Sequence, residues 1–381
     1  GMCSLLRFNK RRNTMTTRLI LVGGFLGAGK TTLLWETAQR LAGRGLRVGL
    51  ITNDQAPELV DTAFLSRGDV KVAEVDGSCF CCNFQGLLGA MSKVRAEADA
   101  DVLIAEPVGS CTDLSATIVQ PLKDHFQQEL VIAPLSVMAD PVRLADILDG
   151  GTAGLHPSAA YIFRKQIEEA DIVVISKTDL LTSVELDMLK TRLVQAYPDA
   201  AIFTVSVKTG EGLDAWLNEV TMRSDAGQRI AEVDYDVYAE GEAVLGWLNA
   251  TITLRGEPTE WNLFAESLLS GLSQRFDSMG ASVGHVKLMV ETGDSFLIGN
   301  LTGKGDTLSI RGQAVTGPEA RLTLNARVQM SPEALETVVR EVIVSTSQGR
   351  ITATPVAWHC LSPGRPNPTH RYDHVVATKE V

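Results

Sequence analysis

Eight residues constrain this chain most: Gly24-Phe25-Leu26-Gly27-Ala28-Gly29-Lys30-Thr31. They fit G-x-x-x-x-G-K-[ST], between a continuous apolar run at 18–23 and a helical pattern over 30–43. A buried strand, a glycine turn and a helix start, in that order, let successive backbone N–H groups curl around phosphate oxygens. The helix N-terminus adds its partial positive charge. Gly24, Gly27, Ala28 and Gly29 allow the close backbone approach. Lys30 reaches the β- and γ-phosphates, Thr31 offers its hydroxyl to Mg²⁺, and Thr32 completes the nucleotide-binding stretch.

A strand buried on both faces needs neighbours of the same kind. Comparable apolar runs recur at 46–52, 70–75, 101–105, 130–138, 171–176 and 201–206, most of them separated by helical patterns at 84–97, 113–127, 159–170, 184–196 and 212–220. Alternation of this kind predicts βαβ units around a mainly parallel sheet, here seven strands in one domain over 18–222. Residues 223–240 are polar and weakly patterned and read as a linker. Beyond them, strand-like runs at 243–254, 283–290, 294–301, 320–329 and 350–357 surround helical patterns at 259–278 and 331–346. The expected fold class is α/β: a P-loop NTPase parallel sheet flanked by helices, followed by a smaller α+β domain over 241–381. The proline-rich stretch 360–374 reads as irregular.

Composition narrows the classes of function. The 381 residues include 46 acids against 35 bases, a formal net charge of −11. Phosphate backbones select basic footprints, so nucleic acid is not an expected partner. No apolar run approaches the roughly 18 residues of a membrane span. Residues 1–17 are basic but lack an apolar h-region, so a secretory signal is not expected and the segment reads as a mobile tail. Gly1 before Met2 reads as an expression scar, Met15 as the natural start, and the expected location is cytoplasmic. Six cysteines are too sparse for a disulfide scaffold. Three of them, Cys79, Cys81 and Cys82, fall within four positions, which points to metal or redox chemistry.

Ser176-Lys177-Thr178-Asp179 ends a buried run where GTPases place [NT]-K-x-D. A carboxylate there accepts two hydrogen bonds from guanine, and adenine would leave it unpaired. Asp179 and Lys177 are therefore the expected guanine readers. Ser206 and Lys208 lie one strand later, in a loop similar to the one that also touches guanine. The thiols of Cys79, Cys81 and Cys82 can face one soft cation, and the helix predicted behind them favours thiolates. Zn²⁺ or another thiophilic divalent metal suits them, while buried structural thiols or a redox pair remain alternatives. A site with three protein ligands suits transfer better than permanent closure.

Taken together, residues 24–32, the cluster Cys79-x-Cys81-Cys82, the stretch Val137–Asp140 and the run Gln166–Leu180 resemble the CobW-type GTPases, relatives of the HypB and UreG metallocentre-assembly GTPases. The resemblance implies GTP/GDP exchange and slow GTP hydrolysis with Mg²⁺, coupled to binding and delivery of a metal, zinc or cobalt-type. It implies a metalloenzyme or corrinoid-protein client, with a homodimer across the nucleotide faces as a family habit. It also implies switch roles for Asp61, Glu106 and Gly109. Three departures stand out. The first switch reads Asn53-Asp54-Gln55-Ala56, and the second reads Glu106-Pro107-Val108-Gly109, without the usual hydroxyls. A histidine-rich stretch is replaced by the scattered His359, His370 and His374, and Cys111 stands as a candidate fourth ligand. Alternatives are a chaperone or reactivator of a corrinoid-dependent enzyme, a non-hydrolysing nucleotide- and metal-binding regulatory module, and a small-molecule kinase.

Overall fold

The structure is a computed structural model and describes residues 16–303 and 308–379. Most of the expected tail, residues 1–15, lies outside the described residues, and Thr17 already belongs to the first strand.

The first sheet is parallel. Its strands are β1 (Thr17–Gly24), β2 (Val48–Asn53), β3 (Lys71–Val75), β4 (Val102–Ala105), β5 (Leu130–Ile132), β6 (Ser136–Ala139), β7 (Ile172–Ile175) and β8 (Ala201–Thr204). They run in the order β3-β2-β4-β1-β6-β7-β8, with β5 also on β1. The apolar run at 130–138 is two strands, not one. Pro134 cannot donate to a ladder, so the chain leaves the sheet there and returns. β5 pairs with Thr17–Leu19 and β6 with Val22–Gly24, so both lie along β1.

Helices cover both faces, as a parallel sheet requires. They are α1 (Lys30–Gly43), α2 (Val60–Leu65), α3 (Phe84–Ala98), α4 (Gln120–Phe126), α5 (Pro141–Leu148), α6 (Pro157–Glu169), α7 (Ser183–Ala196) and α8 (Leu213–Met222). Leu33, Leu34, Trp216 and Leu217 pack in the core of one face. Phe84, Leu87, Ile162 and Phe163 pack in that of the other. The pattern at 113–127 begins as a wide turn over Ser115–Val119 before α4, where Pro121 lacks the N–H that a regular turn would use.

The segment read as a linker becomes helical at α9 (Tyr235–Ala243) and is packed against the first sheet's helices. Asp171 accepts the N–H groups of Gly227 and Gln228 at 2.7 and 2.9 Å.

The second sheet is antiparallel: β9 (Gly246–Thr259), β10 (Val283–Thr292), β11 (Ser295–Leu301), β12 (Leu308–Gln313), β13 (Gly317–Val328) and β14 (Ile351–Leu361), in the order β12-β11-β10-β13-β9-β14. α10 (Trp261–Ser278) and α11 (Pro332–Ser347) cover its apolar face through Leu268, Leu272, Val338 and Val342. Its other face carries polar side chains against the loops of the first sheet. Among the described residues no helix is long and apolar enough to cross a membrane.

Candidate functional site

β1 ends at Gly24, whose φ of 136° and whose approach to Met138 exclude any side chain: a Cβ would lie 2.4 Å from the Met138 carbonyl oxygen. The chain then turns through Gly27 (φ 80°) and Gly29 (φ 96°) into α1. Lys30 Nζ donates to the carbonyls of Gly24 (2.6 Å) and Phe25 (3.3 Å) inside the loop. Burial lowers its pKa to about 8, with Glu106 opposing. Ala28 donates its N–H to Phe25 and is buried, and Thr32 is half-buried in the first helical turn.

Thr31, expected at Mg²⁺, converges with the expected switch residues Glu106 and Asp61. The Thr31 hydroxyl lies 3.4 and 3.5 Å from the two Glu106 oxygens. Asp61, from the start of α2, completes an acidic pair with Glu106. Burial and the neighbouring Asp61 push Glu106 up to about 8. Burial also opposes ionisation of Asp61, but the ammonium of Lys287 outweighs it and holds that carboxyl below its usual range. One hydroxyl and two carboxylates form a hard oxygen set that fits Mg²⁺. Gly109 abuts the loop, where a Cβ would lie 3.1 Å from Lys30 Nζ.

In the loop expected to read the base, Lys177 has a left-handed φ of 53°, and its Nζ donates to Gly27 O (2.8 Å) and Asp140 Oδ2 (2.9 Å). The exposed Asp179 accepts the Ser206 hydroxyl at 2.8 Å, so these two predicted residues share one loop pair. Ser176, where asparagine is usual, donates to Ala139 O at 3.2 Å and tethers the loop by one bond. Lys208 is exposed at the rim.

The thiols are gathered as expected. Cys79 Sγ stands 2.9 Å from Cys81 Sγ and 3.2 Å from Cys82 Sγ, and the last two are 3.7 Å apart. No disulfide joins them, Cys79 and Cys81 are buried, and Cys82 is half-buried. The turn closes through Cys82 and Asn83 N–H groups on Cys79 O, and Asn83 caps α3 by accepting the Gly86 N–H. Contact with the thiols of Cys111, then Cys81 and Cys82, holds Cys79 well below the usual thiol range. Cys82 is pushed up to about 11 by its contact with Cys79, and Cys111 well up by burial. His370 packs edge-on against Phe84, with ring centroids 5.1 Å apart, while the exposed His374 pairs with Asp373 and His359 sits in β14 opposite Asn249.

Several residues join these loops by hydrogen bonds that the sequence pattern does not predict. Asn53, at the end of β2, donates to Val75 O and Ser78 O and accepts the Phe80 N–H, all at 2.8 Å. It thus braces the cysteine loop from the residue before Asp54. Gln166, on α6, donates to Gly109 O (2.9 Å) and Cys111 O (2.8 Å). Glu242, on α9, accepts the Ser110 hydroxyl at 2.8 Å and lies 4.0 Å from Cys111 Sγ. Burial, then the Cys79 charge, pushes Glu242 well up. β14 takes in Cys360 and Leu361 of the stretch expected to be irregular; beyond it the chain is irregular and crosses the thiols, with Asn367 N–H donating to Cys82 Sγ (3.2 Å) and Thr369 N–H to Cys81 O (2.8 Å).

The polar face of the second sheet holds the first switch. Arg327 pairs with Asp54 at 2.7 Å, both side chains 2% exposed, and Asn249 donates to Asp54 Oδ2 at 2.6 Å. Asn325 donates to Glu58 O and accepts the Val60 N–H.

Residues 18–204 match the family described as CobW/HypB/UreG, nucleotide-binding domain. The zinc chaperone CobW of Pseudomonas aeruginosa is 26% identical over 225 residues, 50% of this chain and 56% of that protein. The zinc chaperone YeiR of Escherichia coli is 24% identical over 355 residues, 87% of this chain and 99% of that protein. The matched region thus spans about half of the first relative and nearly all of the second. HypB from Helicobacter pylori in complex with nickel aligns at a TM-score of 0.40 and 21% identity, over 54% of this chain and 85% of that one.

Proposed function

Because residues 18–204 make this chain a member of the CobW/HypB/UreG family, we propose that it is a slow GTPase that couples its nucleotide state to binding and delivery of a thiophilic metal. Lys30 and the loop amides of 24–31 hold the phosphates, and Asp179 with Lys177 reads guanine. Thr31, Glu106 and Asp61 would hold Mg²⁺, which when bound neutralises phosphate charge. Cys79, Cys81 and Cys82 take the metal cargo, with Zn²⁺ favoured by the names of the relatives. Cys111 and Glu242 stand ready beside them. The client is a metalloenzyme that receives the ion.

The observation that carries this reading is a pair of amide bridges. Asn53 ties the start of the first switch to the cysteine loop, and Gln166 ties Gly109 of the second switch to Cys111. Ordering of either switch by nucleotide must therefore strain or relax the thiol geometry, and so change metal affinity. Linkage makes the effect reciprocal. Phosphoryl transfer relies on positioning and charge, so low turnover suits a timing device. Pro107 and Val108, where the family usually carries hydroxyls, favour a second reading: a nucleotide-binding regulator without turnover.

GTP hydrolysis by the fully reduced protein in Mg²⁺, with and without one equivalent of Zn²⁺, tests the assignment. We expect turnover that responds to Zn²⁺ and loses the response in Cys81→Ser/Cys82→Ser. Turnover indifferent to Zn²⁺ would separate the thiols from the nucleotide cycle. Lys30→Ala hydrolysing at the parent rate would remove the site altogether.

A further inference from the structure

A lysine of the second sheet reaches into the nucleotide site. Lys287 stands on β10 in register with Asn325 of β13, which itself faces Asn249 of β9. It belongs to the same polar face that grips the first switch. Its Nζ donates to Asp61 Oδ1 at 2.8 Å and to Thr31 Oγ1 at 3.2 Å. The Asp61 side chain is 8% exposed and that of Lys287 is 16% exposed, so water screens the contact little. Thr31 Oγ1 is in turn within 3.5 Å of both Glu106 oxygens. The ammonium therefore sits on the oxygen set that fits a hard divalent cation.

Two positive ions held at one hydroxyl and one carboxylate repel each other, and the repulsion grows as water is excluded. We propose that Lys287 is a tethered competitor of Mg²⁺: cation binding at Thr31 and Asp61 and the Lys287 contact exclude each other. This rests on the reading that residues 24–32 bind GTP with Mg²⁺. Lys287 then reports the nucleotide to the second sheet. Binding of the metal–nucleotide pair releases one member of a row whose other members, Asn249, Asn325 and Arg327, hold residues 54–60. The sheet gains a mechanical link to the cycle without touching the base.

Binding of N-methylanthraniloyl GTP and GDP to the full chain, followed by fluorescence against Mg²⁺ concentration, tests this. Lys287→Met should lower the half-saturating Mg²⁺ concentration roughly ten-fold, within the usual range for coupled sites. Lys287→Gln keeps a donor, drops the charge and should move it the same way; Lys287→Arg should stay near the parent. Arg67→Ala breaks another contact of this interface, the 2.6 Å ion pair with Glu291, and should leave the Mg²⁺ midpoint unchanged. An unchanged or raised midpoint in both uncharged variants, or an equal shift in Arg67→Ala, would overturn the competitor role while leaving the GTPase reading intact. A parent chain that binds neither nucleotide would overturn both.

Discussion

Glu169 is fully buried, and its carboxylate accepts the Ser115 N–H at 2.9 Å and the Thr112 hydroxyl at 3.3 Å. Burial outweighs these bonds and pushes its pKa up to about 8 from an ordinary 4.5. The folded chain therefore holds a proton that the unfolded chain releases over that interval. This contribution to stability is complete below the unfolded value and is lost as pH rises through the folded one. Glu169→Gln should flatten that slope: its melting temperature should fall less than the parent's between about pH 5 and about pH 8.5. Parallel melting curves would show that Glu169 is ionised in the fold. Asn53 is the second residue to probe. Asn53→Ala removes one hydrogen bond to β3 and two to the cysteine loop, so the Zn²⁺ response of GTP turnover should vanish at a stability cost of about 1–3 kcal/mol in urea unfolding. Asp179→Asn should weaken GTP binding by roughly two orders of magnitude through mismatched base hydrogen bonds, read by nucleotide competition. Lys30 and Thr31 open a helix after a glycine turn, and the three clustered cysteines face one another, as their spacing in the sequence predicts. Asn53 was visible only as part of an altered switch, since its bracing role depends on a loop 25 residues away in sequence.

Regular periodicity made the central strands and the long helices readable, and its absence hid the rest. α9 has polar and charged residues on a short helix, which reads as solvated. Yet Tyr238 and Glu242 are buried, with Tyr238 accepting the Thr112 N–H at 3.1 Å. Partners supplied by the second switch remove the cost of burying those polar groups, and no local pattern announces them. The same holds for the carboxy-terminal segment. It runs as coil over the cluster, with Arg371 on Asp113 (2.7 Å) and Tyr372 N–H on Ala116 O (2.9 Å). Truncation after Leu361 should uncover Cys82 and speed its reaction with a disulfide reagent several-fold. An unchanged rate would mean that the segment does not shield the thiol.

At the scale of the molecule, the two sheets meet across the first switch. β9 and β13 alternate polar and apolar residues, as in Asn249-Ala250-Thr251-Ile252 and Asn325-Ala326-Arg327-Val328. That alternation gives each strand one polar face, and the strand-like runs at 243–254 and 320–329 overlap β9 and β13. The face is turned onto residues 54–61, which only the three-dimensional arrangement reveals. Arg327 and Asp54 form a buried pair, so Arg327→Met leaves a carboxylate without its cation and should lower unfolding stability by about 3–5 kcal/mol. The sheet contact, the Asn53 brace and the Gln166 bridge make one connected path from the glycine loop to the thiols. Its most direct test is the Zn²⁺ affinity of the reduced protein, measured by chelator competition with a non-hydrolysable GTP analogue and again with GDP. The two affinities should differ by about ten-fold or more, and Zn²⁺ should shift the preference between the two nucleotides by the same factor. Equal Zn²⁺ affinity in both nucleotide states would contradict the coupling.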